Sequence, residues 1–119
     1  MAKVFGIHMI ALRPDVKAED FETFVAEEAN QTQNYPGVNG YTLKGIKGDR
    51  EGRYLVLIEI ESVETFERFI STDGTETEAA KQWKSNNPEA AKRNAELIEK
   101  WNTFAHGFGV IYTDYIEVE

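Results

Sequence analysis

The chain has 119 residues, of which 41% are hydrophobic and 29% are charged, and it contains no cysteine. This length fits one domain, and the lack of cysteine excludes a disulfide framework, a thiolate metal site and a cysteine nucleophile. The net charge of -8 argues against nucleic acid or an anionic membrane as the main partner, because both attract an excess of lysine and arginine. No apolar run has the length of a membrane span, and the N-terminus lacks a secretory pattern. We therefore expect one cytoplasmic domain over residues 1–119.

The first half of the chain predicts a strand, a helix and a hairpin. Residues 4–12 form a short apolar run and predict the first strand. Apolar residues at helical spacing predict an amphipathic helix over residues 18–33. Residues 38–47 and 53–61 predict two strands joined by a turn that begins and ends with glycine.

The second half predicts three helical segments and a last strand. Ser62 is a suitable N-cap for a helix that ends around residues 71–74, and Thr75 begins a capping box before an extra helix over residues 76–85. Asn87 and Pro88 then have the cap and first-turn positions of the longest helix, which runs to residue 104. Residues 108–118 alternate in polarity and predict the final strand.

This order, β-α-β-β-α-β with an extra helical segment before the last strand, predicts an α+β, ferredoxin-like fold. We expect one antiparallel sheet with helices on one face, in which the first and last strands are adjacent or central. The strand at 53–61 should flank the first strand.

The strands carry apolar side chains on both faces, although only one face can meet the helices. Strand 53–61 has Tyr54, Val56 and Ile58 on one side and Leu55 and Leu57 on the other. An antiparallel sheet that faces water on one side should instead alternate cleanly. The simplest second cover is the sheet of another copy, which predicts a homodimer. The alternative is that the extra helix over 76–85 folds across this face.

Few side chains are available for chemistry. Only His8 and His106 titrate near neutrality without a perturbed environment, and we expect both to approach the space between sheet and helices. Each also has a structural explanation, as a hydrogen-bonded strand residue and a solvated loop residue respectively. The two lie too far apart in sequence, among scattered acidic residues, to indicate a metal site.

Other polar and aromatic residues are candidates to support a histidine. The hydroxyl of a strand tyrosine can hold an enolate oxygen, and Glu59 or Asp114 can orient an imidazole. The alternatives are dimer-core tyrosines and acidic groups on the surface at strand ends. Trp83, in the extra helix, is a candidate for a lid over the ligand, although tryptophans at helical spacing are usually core residues.

Two segments carry a resemblance to a known superfamily. His8-Met9-Ile10-Ala11-Leu12 before a helix with paired phenylalanines, and residues 59–66 at a strand-to-helix junction, resemble the dimeric α+β barrel proteins. The stress-responsive A/B-barrel and olivetolic acid cyclase-like branches are the nearest in pattern, and the antibiotic-biosynthesis monooxygenases are more distant. The resemblance implies two ferredoxin-like subunits paired sheet to sheet around small apolar or aromatic ligands, often without a cofactor.

The resemblance transfers only some functional residues. His8 matches the strand-one histidine that lines the ligand cavity in cyclase-like members. Their second catalytic histidine falls where residues 70–74 of this chain contain none, and the strand-one asparagine of haem-degrading relatives is also missing.

We therefore expect a cofactor-independent small-molecule enzyme of cyclase, isomerase, lyase or monooxygenase type. It would act on an apolar or aromatic carbonyl compound in a cavity between sheet and helices. The catalytic candidates are His8, Tyr112 and His106, and the substrate-binding candidates are Glu59, Tyr115 and Trp83. The alternatives are a non-catalytic small-molecule-binding or stress-response protein of the same fold and, third, a haem-binding protein.

Overall fold

The computed structural model describes residues 2–70, 75–106 and 111–119. Within these ranges the strands are β1 (Val4–Leu12), β2 (Val38–Lys44), β3 (Tyr54–Ile60), β4 (Ala105–His106) and β5 (Tyr112–Ile116). The α-helices are α1 (Ala18–Glu27), α2 (Val63–Phe69), α3 (Glu78–Asn86) and α4 (Pro88–Phe104), and a 3₁₀ turn (Ala29–Gln31) follows α1. No helix in the described ranges is long and apolar enough to cross a membrane.

The strands form one antiparallel sheet with β1 in its interior. The order is β2-β3-β1, and both β4 and β5 pair with β1 on its other side, β4 at one end and β5 along most of its length. The predicted α+β, ferredoxin-like fold is confirmed, including the flanking of the first strand by the third and the extra helix before the last strand.

Several boundaries differ from those predicted. The first helix ends at Glu27 rather than at residue 33, because Glu28 leaves the helical region (φ -126°, ψ -56°) and the chain tightens into the 3₁₀ turn. The hairpin strands are shorter than predicted, and the turn between them begins and ends with Gly48 and Gly52 at positive φ, a conformation that glycine adopts without strain.

The helix caps are partly as predicted. The Ser62 hydroxyl accepts a hydrogen bond from the Thr65 N–H and begins α2. The cap of α3 is Thr77 rather than Thr75, since the Thr77 hydroxyl accepts from the Ala80 N–H at 3.1 Å. Pro88 opens α4 as predicted, but the Asn87 side chain makes no cap bond and donates to the Trp83 carbonyl instead. The predicted end of α2 at 71–74 and the start of the last strand at 108–110 lie outside the described residues.

The helices pack on one face of the sheet through two hydrophobic clusters. The larger cluster joins α1 and α4 to the sheet, and Phe21 at its centre contacts Tyr54 edge-on, with 4.9 Å between ring centroids. The smaller cluster joins α2 to the sheet around Val4, Val38 and Ile60. Ile58 packs against both clusters and marks the boundary between them.

The opposite face of the sheet is apolar, and no described element covers it. We call this the open face. Its side chains come from β1, β2, β3 and β5: Phe5, Ile7, Met9, Tyr41, Leu43, Leu55, Leu57 and Tyr115. Among them, Tyr41, Leu43 and Tyr115 are about half exposed.

The extra helix does not supply the missing cover. Its Trp83 contacts Tyr35 edge-on, with 5.2 Å between ring centroids, and Tyr35 packs against the smaller cluster on the helix side. The alternative in which this helix folds across the second face is therefore wrong.

Candidate functional site

Two rows of residues cross the helix-facing side of the sheet near the boundary between the clusters. Strand register places the members of each row directly opposite one another on β2, β3, β1 and β5. The first row is Gly40, Ile58, Gly6 and Asp114, and the second is Thr42, Val56, His8 and Tyr112. Because Gly40 has no side chain, space remains above the β2 end of the first row, whereas the position above Gly6 is occupied by the Asp114 and His8 side chains.

A cleft of about 240 Å³ lies over the β2–β3 end of these rows. We call it the main cleft. Its floor contains Gly40, Thr42, Val56 and Ile58, and its walls come from α4 and from the segment that follows α1. A Cβ built on Gly40 would contact only Ile58 Cδ1, at 3.5 Å, so the space above Gly40 is open. The lining is mostly apolar, with neutral amide and hydroxyl groups as its polar members: Asn30, Thr32, Asn34, Thr42 and Asn102.

One wall of the main cleft is held to α4 by side-chain hydrogen bonds. The Asn94 amide donates to the Gln33 carbonyl at 2.7 Å and accepts from the Gln33 N–H at 3.2 Å. Arg93 donates to the Gln31 side chain at 2.9 Å. The segment after α1 thus has a defined position although it contains no regular helix beyond the 3₁₀ turn.

His8 and Asp114 converge above Gly6, one strand beyond the floor of the main cleft. A Cβ built on Gly6 would lie 2.9 Å from Asp114 Oδ1 and 3.4 Å from His8 Nε2. A Cβ at this position would therefore force the Asp114 carboxylate to move. Val56, in the cleft floor, is the direct neighbour of His8 on β3. The His8–Asp114 pair therefore lies one strand away from the cleft floor, and neither residue is part of the cleft lining.

Tyr112 covers one side of the His8 ring. The two residues are opposite each other on β1 and β5, and their rings stack with 5.3 Å between centroids and 17° between planes. Tyr112 is about half exposed. Its ring restricts the position of the imidazole.

The surroundings of His8 favour its neutral form. Partial burial lowers the His8 pKa below its ordinary value of 6.5, and the nearby Asp114 carboxylate opposes this shift. A neutral imidazole can accept a proton, and a carboxylate beside it stabilises the cation that results.

The structure does not bring the second histidine to this site. His106 pairs with Ala11, which belongs to the same face as Ile7 and Met9, whereas its neighbour Ala105 is buried under the helices. Alternation along the strand therefore places His106 and His8 on opposite sides of the sheet. The expectation that both histidines approach one space is wrong.

Glu59 and Tyr115 also lie on the open face, where both pair with Phe5. Glu59 is 3.6 Å from the Lys3 ammonium, and neither residue borders the main cleft. Trp83 packs on Tyr35 and does not line the cleft either. Of the six predicted site residues, His8 and Tyr112 come together.

Two residues of the site were underestimated from sequence. From sequence, Asp114 fits a surface group at a strand end as well as a partner of a histidine, and Gly6 has no reactive group to indicate a site. Glycine within a strand weakens it and often marks close approach of another group, so Gly6 and Gly40 inside predicted strands were the available signal. No group of three or more potential metal-binding residues occurs in the described part of the chain.

The sheet order, the helices on one face and the cleft between them define an α+β protein of ferredoxin-like topology. A family model described as REDY-like protein HapK matches residues 5–116, and the chain belongs to this family. The family is of the dimeric α+β barrel type, which agrees with the sequence resemblance at that level. No curated protein and no solved structure matches the chain.

Proposed function

We propose that the protein is a cofactor-independent enzyme that acts on an apolar or aromatic carbonyl compound bound in the main cleft. The convergence of His8 and Asp114 above Gly6, beside the cleft floor, carries this proposal. The reaction begins with proton removal from a carbon next to the carbonyl or from a phenol. Cyclisation, isomerisation, bond cleavage or oxygenation can each follow such a step.

In this step the substrate C–H or O–H bond breaks and the proton passes to the His8 imidazole. The electron pair that remains forms an enolate or phenolate, whose oxygen accepts a hydrogen bond from the Tyr112 hydroxyl. Asp114 stabilises the imidazolium. General-base catalysis of this kind contributes a rate factor of about 10²–10⁴.

The same step can be followed without knowing the natural substrate. Acetophenone and 1-phenylbutane-1,3-dione exchange their acidic C–H protons for deuterium in D₂O, and proton NMR measures the rate. We expect the protein to accelerate exchange and the His8→Gln variant to lose about a hundredfold of that acceleration. His106→Gln is the matched control. If only His106→Gln lost the acceleration of exchange, the base would lie on the open face and not at His8.

A non-catalytic ligand-binding protein of the same fold is the second candidate. The mostly apolar cleft, with only neutral polar groups in its lining, supports ligand binding independently of His8. Binding of these ketones without accelerated exchange, and without an effect of His8→Gln, would favour this candidate over the enzyme.

We further propose that the open face pairs with that of a second copy. Its support is the row of apolar side chains on β1 and β3, including Ile7, Met9, Leu55 and Leu57, which no described element covers. Contiguous exposed apolar surface of this kind is typical of interfaces. The helix-side cleft of each copy would remain open in such a dimer.

A further inference from the structure

A second cleft of about 200 Å³ continues from the main cleft toward the end of β2. It lies between α1 and the β2–β3 hairpin, and the two clefts share Asn30 above and Thr42 below. At its polar end are Glu22, Lys44 and Tyr54, none of which belongs to the His8 site.

These three side chains form one hydrogen-bonded group. Glu22 Oε2 accepts from the Tyr54 hydroxyl and from the Lys44 ammonium, the latter at 2.9 Å. These bonds lower the Glu22 pKa, and burial, together with the hydrogen bond to the Glu22 carboxylate, raises the pKa of Tyr54 to about 12. At neutral pH the group therefore contains one negative and one positive charge, and its phenol is neutral.

The group has hydrogen-bonding capacity left over. In the part of the chain that the structure describes, both bonds to Glu22 end on Oε2, which leaves Oε1 as an acceptor. Lys44 and Glu22 are each about half exposed, so the ammonium can also donate to a bound molecule. An adjacent acceptor and donor match a neutral group that both donates and accepts, such as an amide or a hydroxyl.

The two clefts lie one after the other along β2. Gly40, Thr42 and Lys44 lie on the same side of β2, and the distance from the first to the last is about 13 Å at the usual rise of a strand. The combined space is suited to an elongated molecule rather than to two unrelated ones, because its apolar part and its polar end lie along one strand.

We propose that the two clefts form a single groove, and that its ligand has an apolar body in the main cleft and a neutral amide or hydroxyl tail that contacts both Glu22 Oε1 and the Lys44 ammonium. This inference rests on the proposed function only for the occupancy of the main cleft. A charged tail is disfavoured, because an anion would compete with Glu22 for Lys44 and a cation would compete with Lys44 for Glu22.

Three eight-carbon probes of different charge test the proposal on the full chain: octanamide, octanoate and octyltrimethylammonium. Titrations followed by ¹H–¹⁵N NMR give both the affinity and the location. We expect octanamide to bind at least about threefold more tightly than either ion, and to shift the signals of Asn30, Thr42 and Lys44.

Charge changes at the polar end should then invert the preference. Glu22→Gln leaves the lysine uncompensated and should raise octanoate affinity about threefold to tenfold, whereas Lys44→Met should do the same for the cation. Glu27→Gln, on the same helix but outside both clefts, is the matched control. Circular dichroism verifies that each variant is folded, and the two substitutions test the same end independently.

Three results would overturn the proposal: no binding of any probe at millimolar concentration, shifts confined to the open face, or equal effects of Glu22→Gln and Glu27→Gln. Deuterium exchange is measured separately. Probe binding as expected, combined with exchange that does not depend on His8, would reject the proposed enzyme and leave the groove standing.

Discussion

His8 and Tyr112 stand opposite each other on β1 and β5, and their rings are within 17° of parallel. Two residues away along each strand, Gly6 and Asp114 form the next pair on the same face. The imidazole is thus flanked by an aromatic ring and a carboxylate that come from the same short strand. Because β5 supplies both groups, the pKa of His8 depends on how β5 pairs with β1.

The first prediction concerns the charge beside His8. Asp114→Asn removes the interaction that raises the His8 pKa and leaves the burial that lowers it, so we expect this pKa to fall further. A pH titration of the histidine ring signals by NMR measures it. Asp49→Asn, in the hairpin turn, is the control, and an equal shift in both variants would contradict a local effect of Asp114.

The same shift makes stability depend on pH. The unfolded chain binds a proton at His8 near pH 6.5, whereas the folded chain binds it only at lower pH. The unfolded state is therefore favoured as the pH falls below about 6.5. Urea unfolding between pH 5 and pH 8 should show a smaller acid-side loss of stability in His8→Gln than in the unchanged protein; parallel curves would count against this contribution.

The two glycines of the first row, Gly6 and Gly40, provide a matched pair of substitutions. Gly6→Ala places a Cβ 2.9 Å from the Asp114 carboxylate, whereas a Cβ at Gly40 meets only Ile58 at 3.5 Å. We expect Gly6→Ala to reduce the free energy of unfolding by about 1–3 kcal/mol and to lower the His8 pKa by displacing Asp114. Gly40→Ala should leave both nearly unchanged in urea unfolding and NMR titration, and the reverse order would be inconsistent with the geometry.

Tyr54 should link stability to alkaline pH. Its pKa is raised from 10.0 to about 12, so the folded state keeps the phenol proton that the unfolded state loses, and stability falls as the pH rises from about 10 toward 12. Between these limits the loss approaches about 2 kcal/mol. Tyr54→Phe should show a shallower decline in urea midpoints from pH 9 to pH 11, and Tyr41→Phe, on the open face, should not.

The open face predicts the oligomeric state. Light scattering should give a mass of about twice 13.5 kDa, and Leu57→Lys should raise the dimer Kd by at least about a hundredfold, because burial of an unpaired ammonium costs several kcal/mol. Ile46→Lys is the control, since Ile46 is exposed in the hairpin region. A monomer in the unchanged protein would reject the pairing.

The fold was largely predictable because its elements have strong local patterns. The hairpin turn, the Ser62 cap and Pro88 each act within a few residues of the helix or strand that they bound. The first helix was predicted too long because its apolar spacing continues to Ala29, while the backbone at Glu28 has already left the helix. Nothing in the hydrophobic pattern distinguishes a 3₁₀ turn from the end of an α-helix.

The site was less predictable because its residues converge through strand register. His8 and Tyr112 were both identified, but their pairing depends on which residue of β5 opposes which residue of β1. His106 was grouped with His8 by residue type, and one step of alternation separates the two faces. Gly6 contributes no reactive group; its lack of a side chain lets the Asp114 carboxylate and the His8 ring approach the strand.

The central strand uses its two sides for different purposes. Val4, Gly6, His8 and Ile10 meet the helices, while the residues between them meet the open face. Deletion or insertion of a single residue before His8 would exchange these roles at once, sending the imidazole to the proposed interface and Ile7 or Met9 into the site. Insertions and deletions are therefore tolerable in the turns of this protein but not within β1. Along β1, even-numbered and odd-numbered side chains lie on opposite faces of the sheet.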